Sequence, residues 1–492
     1  MMGETRRVSF REFACAVVAV LALSARAQEW TTATPESQGM DSAALAQLIE
    51  YGANVKMDSL VVVRHGRIVA EAYYAPYRAG MLHRINSSTK PVVVALARIV
   101  MARGELPAAD TPVLGLLPAE PSPADPRWRS ITLQHLMDMT SGMNWTEGLT
   151  EAPPKTMLEM EQSRDWERFI LQRGVVQAPG AGFYYNSGNS HLLALALARR
   201  TDGGLEAYAR QFLFEPLGIT AWRWRKDPQG VPTGGAGLYL HTRDMARLGQ
   251  LYLQKGEWNG RQVVPRAAAE RAFAPTVDMG IPGFAYADGW WAIPKRKAYF
   301  AAGFNRQLIM VLPELGVVAA VTGRGPYPFT DLIAHLERAA KSATALAVDD
   351  AAHAMLQQRI ATVATEPVLA AAAITPAIPA RSAWQVDDNR TGVREIALDL
   401  AATPPSFKVK LRTREFAGRL GLDGRFAAGE DAGTPVFTKA RWTDPNTLVL
   451  EQRWPEEAGA MHFVLKFDGE EFEFQHTNQF GVRGTARGRR IP

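Results

Sequence analysis

The chain predicts an α+β fold: an antiparallel sheet flanked by helices, with a helical subdomain inserted between its strands, and then a separate all-β, barrel-like domain. Three observations lead there. Strand-like runs stand at both ends of a first region, Ser59–Arg64 and Arg67–Tyr74 early, Phe300–Gly303, Leu308–Leu312 and Val317–Thr322 late, with helical signals and Pro/Gly loops between them. An alanine-rich stretch from Leu346 to Ala380, carrying Pro367, Pro376 and Pro379, breaks the pattern. Beyond it, short strand candidates recur between turn dipeptides, as in a small barrel or sandwich. With 492 residues the chain also exceeds what one core usually holds.

Taken in order, Arg6, Arg7 and Arg11 precede an apolar run from Phe13 to Leu23, and Ala25-Arg26-Ala27 follows it. A basic region, a short apolar region and a small-x-small site predict a secretory signal peptide over residues 1–27, cleaved after Ala27. The run is too short for a stable membrane anchor. Export to a periplasm or to the outside is expected, and the one cysteine, Cys15, would leave with the signal. The first domain then spans 28–345. Asp41 caps a helix running through Tyr51, and His65-Gly66 makes a tight turn between the first two strands. A helix starts at Ser87 and ends near Gly104, and Pro313-Glu314-Leu315-Gly316 joins the last two strands. A helix from Thr330 to about Ala345 closes the domain. Residues 346–380 read as a helix and linker. In the C-terminal domain, 381–492, the strand candidates are Arg394–Leu400, Ser406–Arg412, Thr447–Gln452, Met461–Phe467 and Glu470–Gln475.

Composition removes several functions. Hydrophobic residues make up 47% and charged residues 21%, which is globular composition. The net charge of +5 is spread among acids without a basic stripe, so no nucleic-acid partner is expected. No serine stands in G-x-S-x-G, and H-E-x-x-H, Walker A, EF-hand and dinucleotide motifs are lacking, so neither metal nor cofactor is expected. His135, in "ITLQHLMDMTSGM", reads as a packing residue.

One tetrad carries chemistry: Ser87-Ser88-Thr89-Lys90. Positions i and i+3 of a helix share a face, so Ser87 and Lys90 can meet. A serine hydroxyl becomes a nucleophile when a neighbour takes its proton, and a lysine buried at the positive end of a helix can serve. The same residues also fit an ordinary capped helix start with Pro91 in its first turn. Spacing alone leaves both readings open.

About a hundred residues on stands Pro179-Gly180-Ala181-Gly182-Phe183-Tyr184-Tyr185-Asn186-Ser187-Gly188-Asn189-Ser190. It resembles the P-G-x-x-F-x-Y-S-N stretch of the serine β-lactamase and penicillin-binding protein superfamily, and more closely the class C-like β-lactamase-related hydrolases and esterases, near the 6-aminohexanoate-oligomer hydrolases. The early strand pair before Ser87 and the segments "TLQHLMDMTSGM", "GGAGLYLHTRDMARLGQLYL" and "GFNRQLIMVLPELGVVAAVTG" also resemble that family and occur in its order, so the resemblance covers roughly Trp30 to Ala345. It implies a β-lactamase/transpeptidase-like fold, Ser87 as the acylated nucleophile, Lys90 as its proton partner and Tyr185 as the catalytic tyrosine, Tyr184 being the packing alternative. The oxyanion hole would be the backbone N–H groups of Ser87 and of Phe304, which follows Gly303 on an edge strand. Gly303 would be glycine because substrate lies against it.

Two departures from the family shape the expected substrate. The family's Y-x-N is Tyr185-Asn186-Ser187, which puts a hydroxyl where an amide usually meets substrate or lysine. The Lys-Thr-Gly or His-x-Gly motif is Ala301-Ala302-Gly303, without its cation. An ester or neutral amide is therefore the expected small-molecule substrate. A low-turnover binding or sensor protein, and a cell-wall D-amino peptidase or β-lactamase, are the alternatives. Arg306 is either a replacement cation or a surface residue. Trp290, its neighbour Trp291 and Tyr239 either line the cleft or pack in the core. Nothing in the sequence assigns an oligomeric state.

Overall fold

The structure is a computed structural model and describes residues 30–117, 123–148, 154–366, 374–389, 391–431, 433–457, 459–478 and 483–492. The expected signal peptide and Cys15 lie outside these residues. From Thr32 onward the chain forms one compact unit. Among the described residues no helix is long and apolar enough to cross a membrane.

The first sheet begins with β1 (Met57–Arg64) and β2 (Arg67–Tyr73), joined at His65-Gly66, both with positive φ. Two short strands follow, β3 (His83–Arg84) and β4 (Arg223–Trp224), which flank β5 (Leu238–Leu240) in a small sheet of their own. The main sheet then resumes with β6 (Val277–Asp278), β7 (Ala285–Ala287), β8 (Trp290–Ile293), β9 (Ala298–Gly303), β10 (Gln307–Leu312) and β11 (Val317–Gly323). Its order is β2-β1-β11-β10-β9-β8-β7-β6, wholly antiparallel. The first and last elements meet, as the strand–helix–strand order predicts: Leu60 pairs with Val321 and Arg64 with Val317. β9 is not an edge strand. β8 pairs only with Ala298–Phe300, however, so Ala301–Gly303 are paired on the β10 side alone.

Every residue of β1 and β10 is buried, because helices cover both faces of the sheet. On one face lie α1 (Ser42–Asn54), capped by Asp41 as expected, and two later helices defined below. Leu45, Leu48 and Ile49 of α1 pack with Leu60, Val62 and Met310. Between β3 and β4 come α2 (Lys90–Ala102) and α3 (Ser187–Ala198), which pack on each other in the inserted helical layer. After β5, α4 (Thr242–Leu253) lies across β1, β10 and β11 on the opposite face. The closing helix α5 (Phe329–Ala339) is shorter than expected.

The helix of the 346–380 stretch, α6 (Asp350–Val363), packs against α1, and its Leu356 is fully buried in the core of the first sheet.

The C-terminal region is a nearly closed ten-stranded antiparallel barrel. Its strands are β12 (Arg381–Val386), β13 (Val393–Asp399), β14 (Ser406–Leu411), β15 (Glu415–Arg419), β16 (Ala427–Asp431), β17 (Thr434–Asp444), β18 (Thr447–Trp454), β19 (Gly459–Asp468), β20 (Glu471–Asn478) and β21 (Arg483–Arg490). The order β15-β14-β13-β12-β21-β20-β19-β18-β17-β16 brings the first and last strands together through β12 and β21. Five of these strands match the sequence candidates, and the other five were not expected.

Leu356→Ala should cost about 2–5 kcal/mol of stability, as for a buried leucine that leaves a cavity. Met355→Ala, at an exposed position of the same helix, should stay within about 0.5 kcal/mol. Urea unfolding of the two variants checks this. Equal midpoints would show that α6 is not part of the first core.

Candidate active site

The site is built on the turn that precedes α2. β3 pairs with β5, and Ile85 N–H donates to the Leu238 carbonyl at 2.9 Å, so the chain enters the turn held on one side. Asn86 adopts φ 49°, a left-handed conformation that asparagine tolerates, and lifts Ser87 clear of the strand. Residues Asn86–Thr89 form a single 3₁₀ turn that runs into α2, so the helix proper starts at Lys90 rather than Ser87.

Ser88 and Thr89, spacers in the sequence reading, anchor this turn. Ser88 Oγ donates to the Gln307 carbonyl of β10 at 2.7 Å. Thr89 Oγ1 donates to the Asn86 carbonyl at 2.7 Å and accepts from the N–H groups of Gly237 and Leu238, both at 3.3 Å. Both side chains are buried while Ser87 stays partly open.

Lys90 is 1% exposed, and its ammonium meets three acceptors. Nζ lies 2.9 Å from Ser87 Oγ, 3.0 Å from Ser187 Oγ and 2.9 Å from the Gly235 carbonyl. An ammonium has three N–H bonds, and all are engaged. Gly235 makes the third contact possible, since a Cβ there would stand 2.8 Å from that of Ser187. The Tyr185 ring centroid is 4.6 Å from Lys90 Nζ, and Trp291 packs beside the same ring at 6.2 Å.

One member of the cluster was missed by the sequence reading. Glu147 accepts from Ser187 Oγ at 2.6 Å with Oε1, and from Ser187 N–H at 2.8 Å and Trp145 Nε1 at 2.7 Å with Oε2. Lys90, the Ser187 hydroxyl and the Glu147 carboxylate thus form one chain of hydrogen bonds. Glu147 stands 57 positions from Lys90 in sequence, and no motif spacing marks it. Ser187 itself is buried at the head of α3 and joined to protein partners on both sides, rather than lying open to a substrate.

Gly303 abuts the Ser87 turn. A Cβ there would fall 2.3 Å from the Ile85 carbonyl, so protein backbone, not substrate, is the contact that requires glycine. Asn86 Nδ2 donates to the Phe304 carbonyl at 3.1 Å, which fixes the Phe304 peptide beside the turn.

Three residues that the sequence leaves open between cleft and core or surface have protein partners. Arg306 Nε donates to the Tyr327 carbonyl at 2.7 Å and its guanidinium lies 4.1 Å from the Phe329 ring centre, while burial pushes its pKa below the ordinary arginine value. Trp290 is core, packed on Tyr252 and Phe273 at 4.6 and 5.5 Å; its neighbour Trp291 is the tryptophan next to Tyr185. Tyr239 is buried, donates to Glu457 of the barrel domain and lies under the Arg223 guanidinium. Burial and the Glu457 carboxylate push its phenol up to about 12. His135, read as structural, accepts from Thr132 N–H within the capping box of its own helix.

The comparisons follow this geometry. The family profile described as Beta-lactamase matches residues 43–344, more than half of the chain. The chain belongs to the beta-lactamase family. Within that family it is similar to Esterase EstB of Burkholderia gladioli, 30% identical over 178 residues, which is 32% of this chain and 44% of that protein. The match therefore spans under half of that relative's length. Among solved structures, a putative 6-aminohexanoate-dimer hydrolase from Bacillus anthracis superposes with a TM-score of 0.53 at 24% identity, covering 64% of this chain and 89% of that one. An octameric penicillin-binding protein homologue from Pyrococcus abyssi matches over 90% of this chain and 99% of its own length at 15% identity, with a TM-score of 0.48. The family match ends before α6 and the barrel.

Tyr239→Phe tests the displaced cleft assignment. Losing the hydrogen bond to the Glu457 carboxylate should cost about 1.5–3 kcal/mol of stability. Turnover should stay within roughly threefold, a change well under 1 kcal/mol in barrier. Loss of most kcat/KM at an unchanged Tm would make Tyr239 a substrate contact after all.

Proposed function

We infer that this beta-lactamase-family chain is an exported serine hydrolase that cleaves an ester or neutral amide through an acyl-enzyme on Ser87. The observation that carries the reading is the 2.9 Å contact between the partly open Ser87 hydroxyl and the buried Lys90 ammonium. A cation buried against a hydroxyl at the head of a helix stabilises negative charge developing on that oxygen.

In the proposed reaction Ser87 Oγ attacks the substrate carbonyl carbon. Its proton goes to the Tyr185 oxygen, which acts as the base while the Lys90 ammonium offsets the developing charge, and Tyr185 hands it to the leaving oxygen or nitrogen as that bond to the carbonyl breaks. The oxyanion of the tetrahedral intermediate is held by the N–H groups of Ser87 and Phe304. Water then attacks the Ser87 ester, and the same pair returns a proton to Ser87. Glu147 keeps the Ser187 hydroxyl pointed away from Lys90, so that its lone pairs face the ammonium. The substrate class follows from charge. The Ala301-Ala302-Gly303 stretch brings no cation, and Arg306 is engaged by Tyr327 and Phe329, so a substrate carboxylate has no partner on that strand.

A fluorophosphonate probe should label the wild-type protein and not Ser87→Ala, and p-nitrophenyl acetate turnover should fall to the background of that variant. Labelling that survives in Ser87→Ala would end the assignment. Tyr185→Phe should lose about two orders of magnitude in kcat, the usual worth of a positioned proton carrier. Tyr184→Phe, measured alongside, should keep most activity, and the reverse pattern would exchange the two tyrosines.

A further inference from the structure

The barrel contains a cavity of its own. Side chains just fill an eight-stranded barrel, and the interior widens with each added strand, so ten strands enclose surplus room. At one end that room is filled: Trp384 packs on Phe467 and Phe472 at 4.8 and 5.4 Å, and all three are buried. Toward the other end a cavity of about 250 Å³ remains, walled by Val409, Leu411, Phe463 and Phe474. Val409, Leu411 and Phe463 line the cavity yet stay only partly buried, because no group among the described residues covers them.

The mouth has a defined chemistry. Antiparallel alternation brings the β14–β15 turn with Arg414, the end of β16 with Asp431 and the end of β20 with His476 to the same rim, and all three line the cavity. Arg414 and Asp431 pair with each other, so the rim brings no net charge. Gln452, also at the wall, spends its amide on Thr438 Oγ1 at 3.2 Å. The His476 imidazole stacks 5.7 Å from Phe474, and burial lowers its pKa, so a neutral ring with one donor and one acceptor faces the cavity.

We propose that the barrel binds a small uncharged amphiphile, an aliphatic alcohol or ester of about eight carbons, with its chain among Val409, Leu411 and Phe463 and its polar end at His476. The length follows from the volume: at ~30 Å³ per water the cavity has room for roughly eight waters, about the size of such a chain. The class follows from charge, since a carboxylate would be buried with Arg414 already neutralised by Asp431. This site is formed by barrel residues alone, apart from Ser87.

Calorimetric titration of the full chain with 1-octanol, after Ser87 has been blocked by a fluorophosphonate, tests the proposal. Saturable binding at one site per chain is expected, with a negative heat-capacity change from apolar burial. Octanoate at neutral pH should bind at least tenfold more weakly. Val409→Trp, which fills the cavity, should abolish binding while p-nitrophenyl acetate turnover of the unblocked variant stays at the wild-type level. Should that variant fail to fold, Phe463→Ala enlarges the cavity and should shift the preferred alcohol to a longer chain. Absence of octanol binding, equal binding of octanoate, or binding retained in a folded Val409→Trp protein would each overturn the proposal.

Discussion

The buried ammonium of Lys90 is the constraint on which the site depends. Taking a cation out of water costs several kcal/mol unless hydrogen bonds replace its hydration. The replacements come from three distant parts of the chain: the turn at Ser87, the head of α3 at Ser187 and the Gly235 carbonyl just before β5. None can shift without stranding the charge. The rest of the local structure reads as the means of keeping them in register. Ser88 ties the turn to β10, Thr89 ties it to the backbone entering β5, and Asn86 ties it to the end of β9.

The barrel domain shares in that register. Its β18–β19 turn carries Glu456 and Glu457, which reach Arg223 of β4 at 3.1 Å, Arg84 of β3 at 3.7 Å and the Tyr239 hydroxyl of β5. These three strands form the small sheet from which the Ser87 turn departs and to which Gly235 leads. Surface ion pairs are individually weak, but Tyr239 is buried and its hydrogen bond to a carboxylate is charge-assisted. The second domain therefore braces the strands that position the Ser87 turn, in addition to any ligand of its own.

What the sequence reveals depends on how local the cause is. The β1–β2 hairpin, the capped α1 and the β10–β11 pair are legible because apolar runs and turn residues fix them over a few positions. Ser87 and Lys90 are visible as a pair because a single helical turn brings them together. Glu147, in contrast, reaches Ser187 only through the packing of the inserted layer, and no periodicity encodes that. In the barrel, β21 reads Arg-Gly-Thr-Ala-Arg-Gly-Arg-Arg, with only Ala486 and Gly488 buried. It is a strand because both neighbours pair with it, not because its own side chains seek a core. Tyr239 and Trp290 stay open in the sequence for a related reason, since an aromatic near a motif looks the same whether it faces a cleft, a core or a second domain.

The two departures from the family pattern belong to one charge balance. The Ser187 hydroxyl accepts from Lys90 and gives its only proton to Glu147, which couples the buried cation to a carboxylate. That arrangement balances Lys90 within the protein, before any substrate arrives. A family member with a cation on the β9 strand carries a surplus positive charge that an anionic substrate can neutralise. Here Ala301 and Ala302 offer none, and Arg306 is held by Tyr327 and Phe329. An anionic substrate would bring uncompensated charge to a site already balanced, whereas a neutral ester or amide would bring only the oxyanion that forms during reaction. The same accounting that makes Ser187 and Glu147 partners is the basis of the proposed preference for uncharged substrates.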